Sequence, residues 1–141
     1  MAVELQKLGR AIKQTQDRHH RDLDARLASV GTTLVQWDAL RAIARAPGAS
    51  AHALAVATFQ SDQAFGTLAN RLVAQGLIER RPGVGRRIEH HLTKSGSETL
   101  SAGHPIMNEL LAASFAPLKE HERATLLDLL TRIGGDSDAA E

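Results

Sequence analysis

Apolar residues return every three or four positions along most of this chain, and glycines and prolines break the pattern into six helical stretches. One segment alternates instead, as a short hairpin does. The first stretch predicts a long helix over roughly residues 3–28. Leu8, Ile12, His19, Leu23, Leu27 and Val30 share one face, and Lys7, Arg10, Lys13, Asp17, Arg18, Arg21 and Asp22 lie opposite. A single stripe on a long helix with no nearby hairpin partner predicts packing against another subunit. Gly31 is the expected C-cap.

Thr32 or Thr33 caps the second helix, whose apolar side is Leu34, Trp37, Leu40, Ile43 and Ala44. Pro47-Gly48 ends it. Ser50 caps a short third helix, Ala51–Ala57, and a turn at Thr58-Phe59-Gln60 leads to Ser61 as the next cap. A fourth helix over about 62–75 then buries Phe65, Leu68, Ala69 and Leu72, and Gly76 terminates it. Two short strands are expected at about 77–81 and 87–92, with Pro82-Gly83-Val84-Gly85 as the hairpin tip. Helical spacing resumes after Thr93. Pro105 predicts a kink or break there. Ile106, Leu110, Leu111, Phe115 and Leu118 form the next stripe, Pro117 closes it, and a last helix over about 120–133 carries Leu126, Leu127, Leu129, Leu130 and Ile133. Residues 134–141 read as a frayed tail.

Composition adds exclusions. The absence of cysteine removes disulfide scaffolds, Cys-ligated zinc and thiol redox switches. No apolar run spans a bilayer and the N-terminus is no signal peptide, so a cytoplasmic protein without membrane contact is expected. There is no Gly-rich phosphate loop and no paired carboxylates with a convincing partner, so no enzyme is expected.

The net charge of +1 hides an uneven distribution. Residues 32–94 hold eight Lys/Arg against four acids, whereas 95–141 hold three against eight. A basic middle beside an acidic C-terminal part fits one face built for polyanions, although mixed charges also simply solvate helices.

The fourth helix supplies a sharper signal. Ser61, Gln63, Ala64, Thr67, Asn70 and Arg71 lie on its outward side. Small and amide-bearing residues fit deep into a groove, where Gln63 and Asn70 can pair with adenine edges, Thr67 can meet a thymine methyl, and Arg71 can reach phosphate or guanine. The hairpin that follows holds Arg80, Arg81, Arg86 and Arg87, with no acid between Glu79 and Glu89. Charge on an edge ribbon also deters aggregation. Its place directly after a groove-suited helix favours phosphate contact.

Residues 31–96 resemble the winged helix–turn–helix core of the multiple-antibiotic-resistance regulator (MarR) family. The resemblance rests on Thr33-Leu34-Val35-Gln36-Trp37-Asp38-Ala39-Leu40, on Leu72-Val73-Ala74-Gln75-Gly76-Leu77-Ile78-Glu79-Arg80, and on Leu92-Thr93-Lys94-Ser95-Gly96. It extends to the flanks, where His121-Glu122-Arg123 through Leu129-Leu130 matches the usual last helix. It implies a mainly α fold. An N-terminal dimerisation helix (1–31), a winged helix–turn–helix DNA-binding domain with a two-stranded wing (32–94) and C-terminal dimerisation helices (95–133) would follow one another. It also implies a homodimer on a pseudo-palindromic operator in double-stranded DNA, acting as a transcriptional repressor released by a small, often aromatic effector. Thr15, Gln16, His19, Trp37 and Leu40 are the candidate effector residues, although Trp37 and Leu40, each taken singly, read more readily as plain core.

The sequence departs from the family at the wing tip. Val84 stands where the usual Asp belongs and Arg86 where the wing Arg belongs. Arg86 is therefore the first candidate wing contact, and Arg87 replaces it if the hairpin is one residue shorter; Arg81 is a further candidate.

Seven histidines invite a metal reading. No pair has the i, i+4 spacing of a helical site, and His90 and His91 on a strand face opposite sides, so neither metal nor cofactor is expected. The rival reading is a helical protein-interaction module that keeps the winged helix only as scaffold.

Overall fold

The structure, a computed structural model, describes residues 2–135. Its elements are α1 (Leu5–Leu27) with a 3-10 turn at Ala28–Val30, α2 (Leu34–Arg45), α3 (Ala51–Ala57), α4 (Asp62–Ala74), β1 (Ile78–Pro82), β2 (Ile88–Leu92), α5 (Lys94–Phe115) and α6 (Glu120–Gly134). This is the winged helix–turn–helix architecture that the sequence predicts. The chain forms two compact units, Met1–Met107 and Asn108–Glu141, divided within α5.

In the first unit the helix starts follow from hydroxyl caps. Thr33 Oγ1 accepts from the Gln36 N–H at 3.2 Å, Ser50 Oγ from Ala53 at 3.2 Å, and Ser61 Oγ from Ala64 at 3.1 Å. Each cap satisfies a donor that the first helical turn leaves open, worth about 1 kcal/mol. Asp24 of α1 reaches across to accept from the Leu34 N–H at 2.8 Å, tying α1 to the start of α2. Gly31, at φ +78, makes the left-handed turn between them.

Leu23, Leu27, Trp37, Leu40, Ile43, Leu54, Phe65, Leu68, Ala69, Leu72 and Ile78 form the core of this unit. Trp37 is buried whole because its one polar atom has a partner: the indole N–H donates to the Leu100 carbonyl at 3.1 Å. Two glycines let α5 approach this closely. At Gly96 a Cβ would fall 2.0 Å from the Leu77 carbonyl oxygen. Gly103 leaves room in the same way for the Trp37 ring. The N-terminal part of the α1 stripe stays uncovered within the chain, with Leu8 45% and Ile12 42% exposed.

The ribbon pairs β1 with β2 antiparallel, Ile78 opposite Leu92 and Pro82 opposite Ile88. Pro82 is thus the last strand residue, and the loop is 83–87 rather than the four-residue tip expected. It closes because Gly83 N–H donates to the Arg87 carbonyl at 2.8 Å and Arg87 N–H to Val84 at 3.3 Å, with Gly85 at φ +67.

Pro105 neither ends nor interrupts α5, so the break that was one of the two expected outcomes does not occur. It removes the N–H that would bond to the carbonyl four residues back, that of Ser101. Ser101 is exposed, so water can take the vacated bond.

In the second unit, Glu122 accepts from the Lys119 N–H at 2.8 Å and so closes the start of α6. Arg123 Nε donates to the Phe115 carbonyl at 3.1 Å. Leu127, Leu129, Leu130 and Ile133 of α6 are all exposed. Gly134 still belongs to α6, and the rest of the expected tail from residue 136 lies outside the described residues.

Candidate nucleic-acid interface

Helix α4 buries Phe65, Leu68, Ala69 and Leu72 and exposes Ser61, Gln63, Ala64, Thr67, Asn70 and Arg71. All six residues singled out from the sequence therefore lie on the uncovered side of one helix. Thr67 turns its hydroxyl onto the Gln63 carbonyl at 3.2 Å, which leaves its methyl as the outward chemistry. Asp62 is an acid at the start of this face and would oppose phosphate. It is paired with His52 Nδ1 of α3 at 2.9 Å.

The turn before α4 holds an unanticipated feature. Phe59 adopts φ +58 and is 80% exposed. An aromatic side chain in the left-handed region is unfavourable, and here no burial offsets it.

The four ribbon arginines divide. Arg81 is bound by Glu79, with its Nε donating to Oε1 at 2.9 Å. Arg87 donates from its guanidinium to the Gly48 carbonyl at 3.1 Å. Arg80 and Arg86 are exposed and have no hydrogen-bond or ion-pair partner among the described residues, as has Arg71 on α4. Arg86 thus lies in the hairpin loop, free to reach outward, and Arg87 is tied to the α2–α3 loop at its root.

That root was not visible in the sequence. Residues 48 and 49 join β2 through Gly48 N–H to His90 O at 3.0 Å and His90 N–H to Ala49 O at 3.2 Å. His90 points into the core at 1% exposure and stacks edge-on to Phe65 of α4, 6.3 Å between ring centres. Its Nδ1 bonds the Ala49 carbonyl at 3.0 Å, so it is the protonated ring nitrogen, and Nε2 is buried without a partner. Burial pushes the His90 pKa below the ordinary imidazole value, and the Arg80 and His91 charges add to this. The Ala49 hydrogen bond opposes it.

His91, on the opposite side of the strand as alternation requires, donates from Nε2 to Glu89 Oε1 at 3.0 Å. This bond, with the charges of His91, Arg87 and Arg81, holds the Glu89 carboxyl below the usual carboxylate range, against the opposing effect of desolvation. The local signal for the root was Pro47-Gly48, which reads as a helix stop and gives no hint of its strand-like pairing. Among the described residues no three His, Asp or Glu side chains gather as a metal-binding group, and no helix is long and apolar enough to cross a membrane.

Comparison with known proteins agrees with this geometry. The model of the MarR family matches residues 30–88. Among solved structures the chain is similar to a mutant of Escherichia coli MarR complexed with operator DNA: TM-score 0.84, 25% identity, 90% of this chain and 93% of that one. It is also similar to a probable transcriptional regulator from Pseudomonas aeruginosa, at TM-score 0.79 and 29% identity over 89% of this chain and 95% of that one. The match covers the winged helix–turn–helix part of the chain, and the likeness to MarR-type regulators extends over most of its length. No curated protein sequence matches it. A Mycobacterium tuberculosis MarR family protein in complex with p-aminosalicylic acid shares the fold, with TM-score 0.73 at 23% identity over 91% of this chain and 98% of that one.

The matched family and the Escherichia coli and Pseudomonas aeruginosa structures are of transcription regulators rather than enzymes. The candidate effector residues of this chain separate into two environments. Trp37 and Leu40 are core, and the Trp37 ring is enclosed by Gly103, by His104 edge-on at 5.1 Å and by Arg41 at 5.9 Å. Thr15, Gln16 and His19 lie on α1, where Gln16 is exposed and Thr15 spends its hydroxyl on the Ala11 carbonyl at 2.9 Å.

Proposed function

We propose that this MarR-family regulator is a homodimeric repressor that reads a pseudo-palindromic operator and leaves it when a small aromatic acid binds. The observation that carries the reading is the sidedness of α4. Its apolar half is spent on the core, and its free half is small and amide-bearing with Arg71 at its far end, directly ahead of a ribbon whose Arg80 and Arg86 have no hydrogen-bond or ion-pair partner among the described residues. Gln63, Thr67 and Asn70 supply base-edge contacts, Ser61, Ala64 and Arg71 flank them, and Arg86 supplies the wing contact to the backbone. Arg81 and Arg87 are the weaker wing candidates, since each already has a partner.

The uncovered Leu8 and Ile12 of α1 and the four exposed apolar residues of α6 support a second copy as partner, because single soluble chains seldom leave such faces wet. Two recognition helices related by a twofold axis then meet half-sites about one duplex turn apart. An effector that favours another separation of these helices lowers operator affinity by that difference. The acid in the Mycobacterium tuberculosis complex supports the effector class, with Thr15, Gln16 and His19 as its first candidates here.

Selection from randomised DNA tests the reading, with wild type beside Asn70→Ala. Wild type should enrich paired half-sites, and Asn70→Ala should lose about 1–3 kcal/mol on that motif and much less on random DNA. Equal enrichment by both proteins would take Asn70 out of base recognition. No motif from either, with protein partners recovered instead, would favour the scaffold reading. Light scattering should give twice the 15.2 kDa chain mass, and added salicylate should release the labelled operator.

A further inference from the structure

The side chain of Glu89 occupies a space that two glycines leave open. A Cβ on Gly48, in the α2–α3 loop, would lie 3.4 Å from Glu89 Oε1. A Cβ on Gly83, in the hairpin loop, would lie 3.1 Å from Glu89 Cγ and Oε2. The carboxylate therefore sits between the wing and the loop that precedes the helix–turn–helix. His91 fixes it from one side at 3.0 Å, and the Arg87 guanidinium, bonded to the Gly48 carbonyl at 3.1 Å, holds the same loop.

We propose that Glu89 is a positioning residue for DNA binding: seated between Gly48 and Gly83 and held by His91, it fixes the wing to the α2–α3 loop and so sets where Arg86 meets the DNA backbone. This rests on the reading of the ribbon as a DNA contact. An acid has no direct use at such a surface, since it repels phosphate. Its cost is offset if its task is mechanical.

The two roles predict opposite signs. If Glu89 acts only through its charge, removing it strengthens binding. If it positions the wing, Glu89→Ala weakens binding about tenfold, the factor of one hydrogen bond to a charged group. Glu89→Gln still accepts from His91 and fills the same space, so it should rescue that loss. Operator affinity is read by fluorescence anisotropy for wild type, Glu89→Ala, Glu89→Gln and Arg86→Ala.

Amide hydrogen exchange supplies a readout without DNA. The Gly48 and Gly83 N–H groups are both bonded in the root, and they should exchange faster in Glu89→Ala but not in Glu89→Gln. His91→Leu removes the same hydrogen bond and should reproduce the Glu89→Ala pattern if that variant folds poorly. Glu89→Ala binding no more weakly than Glu89→Gln, with both amides equally protected, overturns the proposal. Wild type that binds no DNA, or Arg86→Ala that binds as wild type does, overturns instead the underlying reading of the ribbon.

Discussion

Gly103 of α5 lies against the indole of Trp37 so closely that a Cβ on it would fall 2.1 Å from Nε1. No rotamer of a buried Trp can yield that much, and the indole would also lose its bond to Leu100. Gly103→Ala is expected to cost about 3 kcal/mol, the upper part of the usual range for overpacking. Urea unfolding followed through Trp37, the sole tryptophan, measures it. An unchanged midpoint would mean that α5 does not pack on Trp37 in this way.

Phe59 should be replaceable at a gain. Asn tolerates φ +58 better than Phe, and an 80% exposed ring gives up little packing. Phe59→Asn should raise stability by about 1 kcal/mol through relief of the left-handed strain. A loss of stability would show that the ring makes contacts in the folded protein. Operator affinity of the same variant shows whether the ring is kept for binding.

His90 makes stability pH-dependent. Its folded pKa lies below the ordinary value, so between the two the unfolded chain holds more protons. Its contribution is whole above the unfolded pKa of about 6.5 and is lost as pH falls through that value toward the folded one. Urea midpoints should therefore drop from pH 8 to pH 5, and His90→Gln should flatten the slope. Glu89 acts in the same sense, because its folded carboxyl also lies below the ordinary range and its contribution is lost as pH falls further. An identical slope in His90→Gln would move the effect to other groups.

The arginines of the ribbon should separate by salt dependence. Arg86→Ala and Arg80→Ala each remove one unpaired charge and should each lower the slope of log affinity against log salt by about 1. Arg81 is already neutralised by Glu79, so Arg81→Ala should leave that slope near the wild-type value. Equal changes in all three would mean that the Glu79 pair opens on DNA.

Much of this was legible in the chain. Ser50 and Ser61 begin their helices as read, because a hydroxyl cap followed by an apolar period is a local signal. The buried and exposed halves of α4 follow from the 3.6-residue period alone. His90 and His91 face opposite sides because a strand requires it. What escaped depends on contacts far apart in sequence. Nothing near Pro47-Gly48 announces that residues 48 and 49 will pair with β2, some 40 positions on. That Pro105 does not break α5 was hidden for a related reason: whether a proline breaks a helix depends on whether the orphaned carbonyl meets water, and exposure is not local information. Phe59 was read only as a turn residue, since its sign of φ has no sequence signature when the residue is not glycine.

The rung that residues 48 and 49 add at His90 has a consequence for solubility. A two-stranded ribbon has two open edges, and each is a template on which another chain can grow a sheet. Here the outer edge of β2 is already taken by Gly48 and Ala49. The edge of β1 ends in Pro82, which has no N–H to offer, beside the charges of Arg80 and Arg81. The module can thus hold a protruding, unshielded ribbon at high local concentration without that ribbon seeding β-aggregates.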